Sequence, residues 1–342
     1  LSKWAILRPT ARNKPAAIFT GFIVNFGTTY PLGFKSLWFL TTTMHIKKLH
    51  ACTGHRAALY ALAPGRDDRH FLSAGGDGWV VNWSLDDPEN GQLVASVETQ
   101  LFSLLHLPER NLLVAGNMHG GVHWIDWADP SRTRNVQHHQ KGVYDLLVVG
   151  EWLYSAGGDG LLTRWSVLEG RTVESVQLSN RSLRALAYSA ARQELAVGAS
   201  DGSIYLLDET TLALRQTLPD AHLPSVFTVV YSPDQQRLMS GGRDALLRVW
   251  DLEKDLQLLL EVPAHRFTLN HLVFSPDAQM FATASRDKTF KIWNAQTGEL
   301  LKVVDTLRYG GHINSVNRLL WLPDCLVTAS DDRMAMIWEV DR

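Results

Sequence analysis

Five sets of the residue types that build hydrolytic sites recur along the 342-residue chain. They are His55, Ser73, Asp77 and Trp83; His139, Ser155, Asp159 and Trp165; His222, Ser240, Asp244 and Trp250; His265, Thr283, Asp287 and Trp293; and His312, Thr328, Asp332 and Trp338. A histidine held by a carboxylate can draw the proton from a hydroxyl and make it a nucleophile, so acyl transfer is the first chemistry to weigh. The repetition argues against it, because one enzyme needs one such set. In two further stretches of the same register the types are lost together, giving Val97, Ala115 and Ile125 in one and Ser179, Val197 and Leu207 in the other. Joint loss implies mutual contact. A buried chain from tryptophan through hydroxyl and imidazole to carboxylate satisfies its own polar groups and staples the segment that carries it. No catalytic residue is assigned.

These residues sit at fixed places in a repeat. The segments SAGGDGWVVNW (73 to 83), SAGGDGLLTRW (155 to 165), SGGRDALLRVW (240 to 250), TASRDKTFKIW (283 to 293) and TASDDRMAMIW (328 to 338) each place Asp six residues before Trp. Two weaker copies, 114 to 125 and 197 to 207, put His119 and Asp201 at the Asp position. The seven positions 77, 119, 159, 201, 244, 287 and 332 are 40 to 45 residues apart, a period long enough for four short strands and turns. Short β-branched or alternating runs bounded by GGDG, SPDQQ and SPDA predict those strands, and no 3.6-residue periodicity competes with them.

The pattern resembles the WD-repeat family, in which a Gly-His pair, a turn Asp and a terminal Trp-Asp recur. The resemblance covers 44 to 342 and rests on Gly54-His55, Gly311-His312, Ala221-His222, Ala264-His265 and Trp250-Asp251. It implies an all-β fold, a seven-bladed β-propeller of four-stranded antiparallel blades around a central channel. The phase of the repeat adds a means of closure. Only four residues follow Trp338, so the last blade lacks its outer strand, while His45 to His50 supplies a spare strand ahead of the first blade. Pairing the two ends completes the last blade and hides a sheet edge.

Residues 1 to 43 differ in composition, with five Lys or Arg and no Asp or Glu, which leaves −7 on the remainder. The expectation is an N-terminal extension to a propeller of 44 to 342, with Met44 at the edge of the ordered body. An upstream stretch absent from the working protein, an organelle-targeting leader and a loosely attached tail all stay open for it. A net charge of −2 and the absence of any long uncharged apolar run argue against a nucleic-acid binder and a membrane span. Two cysteines, Cys52 and Cys325, make neither a disulfide framework nor a zinc site, and a cytoplasmic, reducing setting is expected. No cofactor and no metal is expected. His119 and His123, read as one strand, would stand about 13 Å apart, too far to share an ion. The adjacent His138 and His139 should point to opposite sides.

In a closed ring the inner strands converge on the channel mouth. The positions five after each His or its equivalent are Tyr60, Phe102, Tyr144, Arg184, Phe227, Asn270 and Asn317; those just before each turn Asp include Arg243 and Arg286. Tyr, Phe and Arg combine large contact area with specific polar groups and are enriched where partners bind. The expected site is therefore Tyr60, Phe102, Tyr144, Arg184, Phe227, Arg243 and Arg286, with the three arginines forming one basic side. The expected partner is a protein or peptide segment, acidic or phosphorylated, bound by a ring that is monomeric within a larger complex. The alternative is a propeller enzyme or small-molecule binder with a site built from rim loops.

Overall fold

The computed structural model describes residues 44–341, so expectations about residues 1 to 43 fall outside it. The first strand, β1 (His45–Cys52), precedes a complete blade made of β2 (Leu59–Pro64), β3 (His70–Gly75), β4 (Trp79–Ser84) and β5 (Gln92–Ser96), paired in that order. Six more four-stranded antiparallel sheets follow, and together they make a seven-bladed β-propeller. Burial decides the character of each strand. β3 is almost wholly buried, because neighbouring blades cover both of its faces, whereas β5 is exposed or half-buried throughout.

Closure runs as the repeat phase implies. β1 pairs antiparallel with the terminal strand Ala335–Asp341, from His45 opposite Asp341 to Cys52 opposite Ala335. The seventh sheet thus takes strands from both ends of the described chain, and its edge is covered.

The core lies between blades. At the seam that joins the ring, Leu59, Phe71, Val81 and Trp83 of the first blade pack on Leu322, Val327 and Ile337 of the last. Each such side chain stabilises the ring by about 1.5 to 3 kcal/mol on burial.

The turn after each repeat aspartate requires a left-handed residue. Gly78 has φ +73°, and a Cβ there would stand 2.1 Å from the Val97 carbonyl oxygen. Gly120, Gly160 and Gly202 fill the same place in the next three blades, but the last three carry Ala245, Lys288 and Arg333 with φ of 64°, 73° and 71°. The longest spacing, between the sixth and seventh repeats, holds α1 (Thr306–Tyr309), the one α-helix among the described residues.

Candidate functional site: the channel mouth

The five polar sets form continuous hydrogen-bond chains. In the first, Trp83 Nε1–H donates to Ser73 Oγ at 2.8 Å, Ser73 Oγ lies 2.8 Å from His55 Nε2, and His55 Nδ1 lies 2.9 Å from Asp77 Oδ2. The other four repeat it, with links of 2.7 to 3.1 Å. Indole is only a donor, so the hydroxyl oxygen accepts from it and gives its own hydrogen to Nε2. The proton of the imidazole is then on Nδ1, facing the carboxylate. Burial lowers the pKa of His55 and His265 against the pull of their aspartates, in keeping with neutral rings. Ser73, Ser155, Ser240, Thr283 and Thr328 are all 0% exposed, so none of these hydroxyls can meet a substrate.

The two blades without the full set carry other polar links in its place. In the fourth, Ser179 Oγ donates to Asp201 Oδ2 at 2.5 Å and Tyr205 Oη–H adds a second bond at 2.7 Å, so a shorter chain persists. In the second, Asn117 replaces the carboxylate. Its Oδ1 accepts from the backbone N–H groups of His119 and Gly121, which makes Nδ2 the donor to His123 Nε2 at 2.9 Å.

His119 stands in the turn before the strand Gly121–Asp126, so the strand-spacing argument does not govern it. Among the described residues no group of three or more His, Cys, Asp or Glu side chains could hold a metal ion. His138 and His139 do not diverge either. Their rings meet edge to face at 5.1 Å, because His138 turns back over Trp165 and hydrogen-bonds Thr163 and Ser175.

Asp287 accepts from His265 Nδ1, from the backbone N–H groups of Arg266 and Thr289, and from the Thr289 hydroxyl. Asp287→Ala is expected to lower unfolding free energy by about 1 to 3 kcal/mol, since it strands buried donors. The exposed His119→Ala should cost below about 0.5 kcal/mol. Denaturant melts giving equal losses would contradict the distinction between the two kinds of blade.

The channel mouth is set by a repeated irregularity. In all seven inner strands the ladder skips one residue, and the residues skipped are Tyr60, Phe102, Tyr144, Arg184, Phe227, Asn270 and Asn317. A bulge frees one residue from pairing and re-aims its side chain. All seven line one cavity of about 430 Å³, together with Gln100 and Arg318. Tyr60 meets Phe102 edge to face, and Phe102 lies nearly parallel to Tyr144 at 5.3 Å. Arg184 continues the wall, its guanidinium 3.9 Å from the Tyr144 ring centre and 5.4 Å from that of Phe227, with Nε–H donating to Ser200 Oγ. Burial draws the Arg184 pKa below its ordinary value, and no carboxylate is paired with it among the described residues.

Arg243 and Arg286 are not brought into this cavity. Both lie past the end of a strand, exposed and without a side-chain partner among the described residues. The expected arc of three arginines is thus one cavity arginine and two rim arginines. The opposite side of the cavity is polar, with Asn317 Nδ2–H donating to Asp331 Oδ1 and Asn270 Nδ2–H to Ser315 Oγ.

One step deeper, Arg318 of the seventh blade reaches across to Asp145 of the third, Nη2 to Oδ1 at 3.1 Å. Asp145 also accepts from the Leu186 backbone N–H, and His271 Nδ1 accepts from that of Leu319. Sequence reasoning missed these three. They stand six after their repeat histidines, and a carboxylate, an imidazole and a guanidinium at that place were the available signal.

Seven four-stranded blades, closed by pairing of the first and last described strands and stapled in five blades by Trp, Ser/Thr, His and Asp, define a repeat propeller. The WD domain, G-beta repeat, matches residues 46–84, 213–251, 256–294 and 301–339, each match running from an outer strand through the first three strands of the following blade. The chain is a WD-repeat β-propeller. It is similar to WD repeat-containing protein 90 of Homo sapiens, 27% identical over 144 residues, which is 40% of this chain and 8% of that protein. The Xenopus tropicalis protein of the same name is 26% identical over 146 residues, with the same coverage. The alignments thus span only 8% of the length of these relatives. The crystal structure of the WD40 beta propeller domain of Doa1 superposes with a TM-score of 0.76 at 20% identity, covering 86% of this chain and 97% of that one. Propellers of this family are generally non-catalytic scaffolds that mediate protein interactions.

Proposed function

We propose that the ring is a non-catalytic platform that takes an acidic or phosphorylated protein segment at the channel mouth. The supporting observation is Arg184, a half-buried cation stacked on Tyr144 and Phe227 that faces the cavity without a counter-ion. A cation removed from water and left unpaired is costly, and an incoming carboxylate or phosphoryl group offsets that cost through paired charge-assisted hydrogen bonds. Tyr60 and Phe102 extend the contact as an aromatic wall. Arg243 and Arg286, free on the rim, add long-range attraction and a faster encounter. The two cysteines are free and buried, which fits a reducing, cytoplasmic setting, and the ring is read as monomeric within a larger complex. Among the described residues no helix is long and apolar enough to cross a membrane.

The test is a titration of the partner captured by the intact ring against wild type, Arg184→Ala, Arg184→Lys and the triple alanine variant of Arg184, Arg243 and Arg286, at low and high salt. Arg184→Ala should weaken binding by about tenfold or more, and lysine should not restore it, because an ammonium lacks the planar fork. The rim arginines should matter mainly at low salt, being screened over about 8 Å at physiological ionic strength. Unchanged affinity in every variant with the fold intact would move the site elsewhere on the ring.

A further inference from the structure

A second cavity, of about 450 Å³, opens on the outer part of the sixth blade and shares no lining residue with the channel cavity. Four cations line it, Arg266, Lys288, Lys291 and Arg308, against two carboxylates, Asp287 and Asp305. Both carboxylates are already engaged. Asp287 holds His265, Thr289 and the Arg266 backbone, while Asp305 caps α1 and pairs with Arg308 through Nε–H at 2.9 Å. Arg266 and Lys288 have no side-chain partner among the described residues. Lys291 donates only to the Ala264 carbonyl at 2.5 Å, and burial lowers its pKa against the opposing pull of the Asp287 carboxylate, with the nearby Arg266 adding to the lowering.

The lining therefore carries two more cations than carboxylates, and with Arg308 paired to Asp305 the excess falls on Arg266, Lys288 and Lys291, an arrangement that is unfavourable unless an anion joins it. Two further features mark the place. Lys288 occupies a left-handed position, φ 73°, which glycine fills in four other blades, so a charged side chain is kept there against a backbone penalty. Leu307, on the α1 insertion beside the cavity, is 96% exposed and stands ready to meet an apolar neighbour of the anion.

We infer that this cavity is a second binding site, independent of the channel, for a protein segment carrying a phosphorylated side chain. A phosphoryl group brings nearly two negative charges and three acceptor oxygens, matching an excess of two positive charges on the lining better than one carboxylate does. Its oxygens would take bonds from Arg266, Lys288 and Lys291, while a flanking apolar side chain covers Leu307.

Two probes test this on the full chain. Inorganic phosphate, titrated at constant ionic strength, should produce saturable amide shifts at Lys288 and Thr289. A degenerate phosphoserine peptide library should be retained about tenfold more than its serine and glutamate counterparts. Both responses should vanish in the Arg266→Ala, Lys288→Gly double variant. Glycine at 288 relieves the left-handed backbone, so lost binding with an undiminished melting temperature is not misfolding. Leu307→Ser should cut peptide retention about threefold and leave the phosphate response unchanged. Absence of saturable shifts, equal retention of the three libraries or an unaffected double variant would overturn the site. Full retention by Leu307→Ser would overturn a protein segment as occupant. Loss in Arg184→Ala but not in the double variant would place the anion in the channel and equally overturn the inference.

Discussion

Asp145→Ala is expected to destabilise the ring by about 3 kcal/mol, the largest loss from any single side chain in the channel. The carboxylate is 9% exposed and pairs across the channel with Arg318, whose side chain is 31% exposed. Its removal leaves Arg318 without its counter-ion and the Leu186 N–H without its acceptor. Partial solvation of Arg318 through the cavity keeps the loss at the lower end of the range for broken buried pairs. Arg318→Met alone should also destabilise, and the double variant should recover part of the sum, because two apolar groups of similar size leave nothing unpaired. A denaturant-melt cycle reads the coupling directly. Strict additivity would show that the two blades are not joined through the channel.

Stability should fall in two stages as the pH drops. Burial lowers the pKa of His55 and His265, and that of His271 well below its ordinary value, so the folded ring keeps these imidazoles neutral after the unfolded chain begins to take protons near 6.5. Their contribution is complete above that pH and declines below it. Burial alone would raise the Asp159 and Asp244 carboxyls; hydrogen bonds from His139 and His222 and from backbone N–H groups outweigh it and hold both at about 2. Asp287 and Asp332 are lowered in the same way. Their stabilisation is present above the unfolded value of 3.8 and is lost as pH falls through the folded one. Asp159 and Asp244 each contribute about 2 kcal/mol that disappears between about pH 4 and pH 2. Denaturant midpoints measured from pH 8 to pH 2 should decline gently at first and steeply at the end, and Asp159→Asn should flatten the steep part. Stability that rises anywhere between pH 6 and pH 3 would refute the assignment.

Much of this was legible in the residues because it is local. Six residues from Asp to Trp fix a turn and a strand, so the blade count, the hydrogen-bonded sets and the strand that β1 lends to the last blade all follow from register. The seven channel positions were also reachable, being five after each repeat histidine. Contacts that depend on the ring as a whole were not. Whether Arg318 meets Asp145 is decided by the width of the channel, and 173 residues separate them. Arg243 and Arg286 were assigned inward because their repeat position borders the mouth, but they lie exposed beyond the strand ends and outside the cavity lining. His123 was weighed only as a metal ligand, and its bond to Asn117 escaped notice because the pair replaces the usual residues by others at different places in the repeat.

The seven bulges carry a consequence for how such a ring changes over time. A residue skipped by the ladder owes nothing to strand pairing, and its side chain looks into solvent-filled space instead of a blade interface. Selection on folding therefore acts most strongly on the residues beside it, which leaves the bulged residue more open to selection on recognition. Tyr60, Phe102, Tyr144, Arg184 and Phe227 form an arc in which each is constrained mainly by the next side chain along it, whereas Asn270 and Asn317 also tie neighbouring blades through the Val316 and Leu59 carbonyls. Descendants of one ring can in this way come to recognise unrelated partners while remaining the same fold.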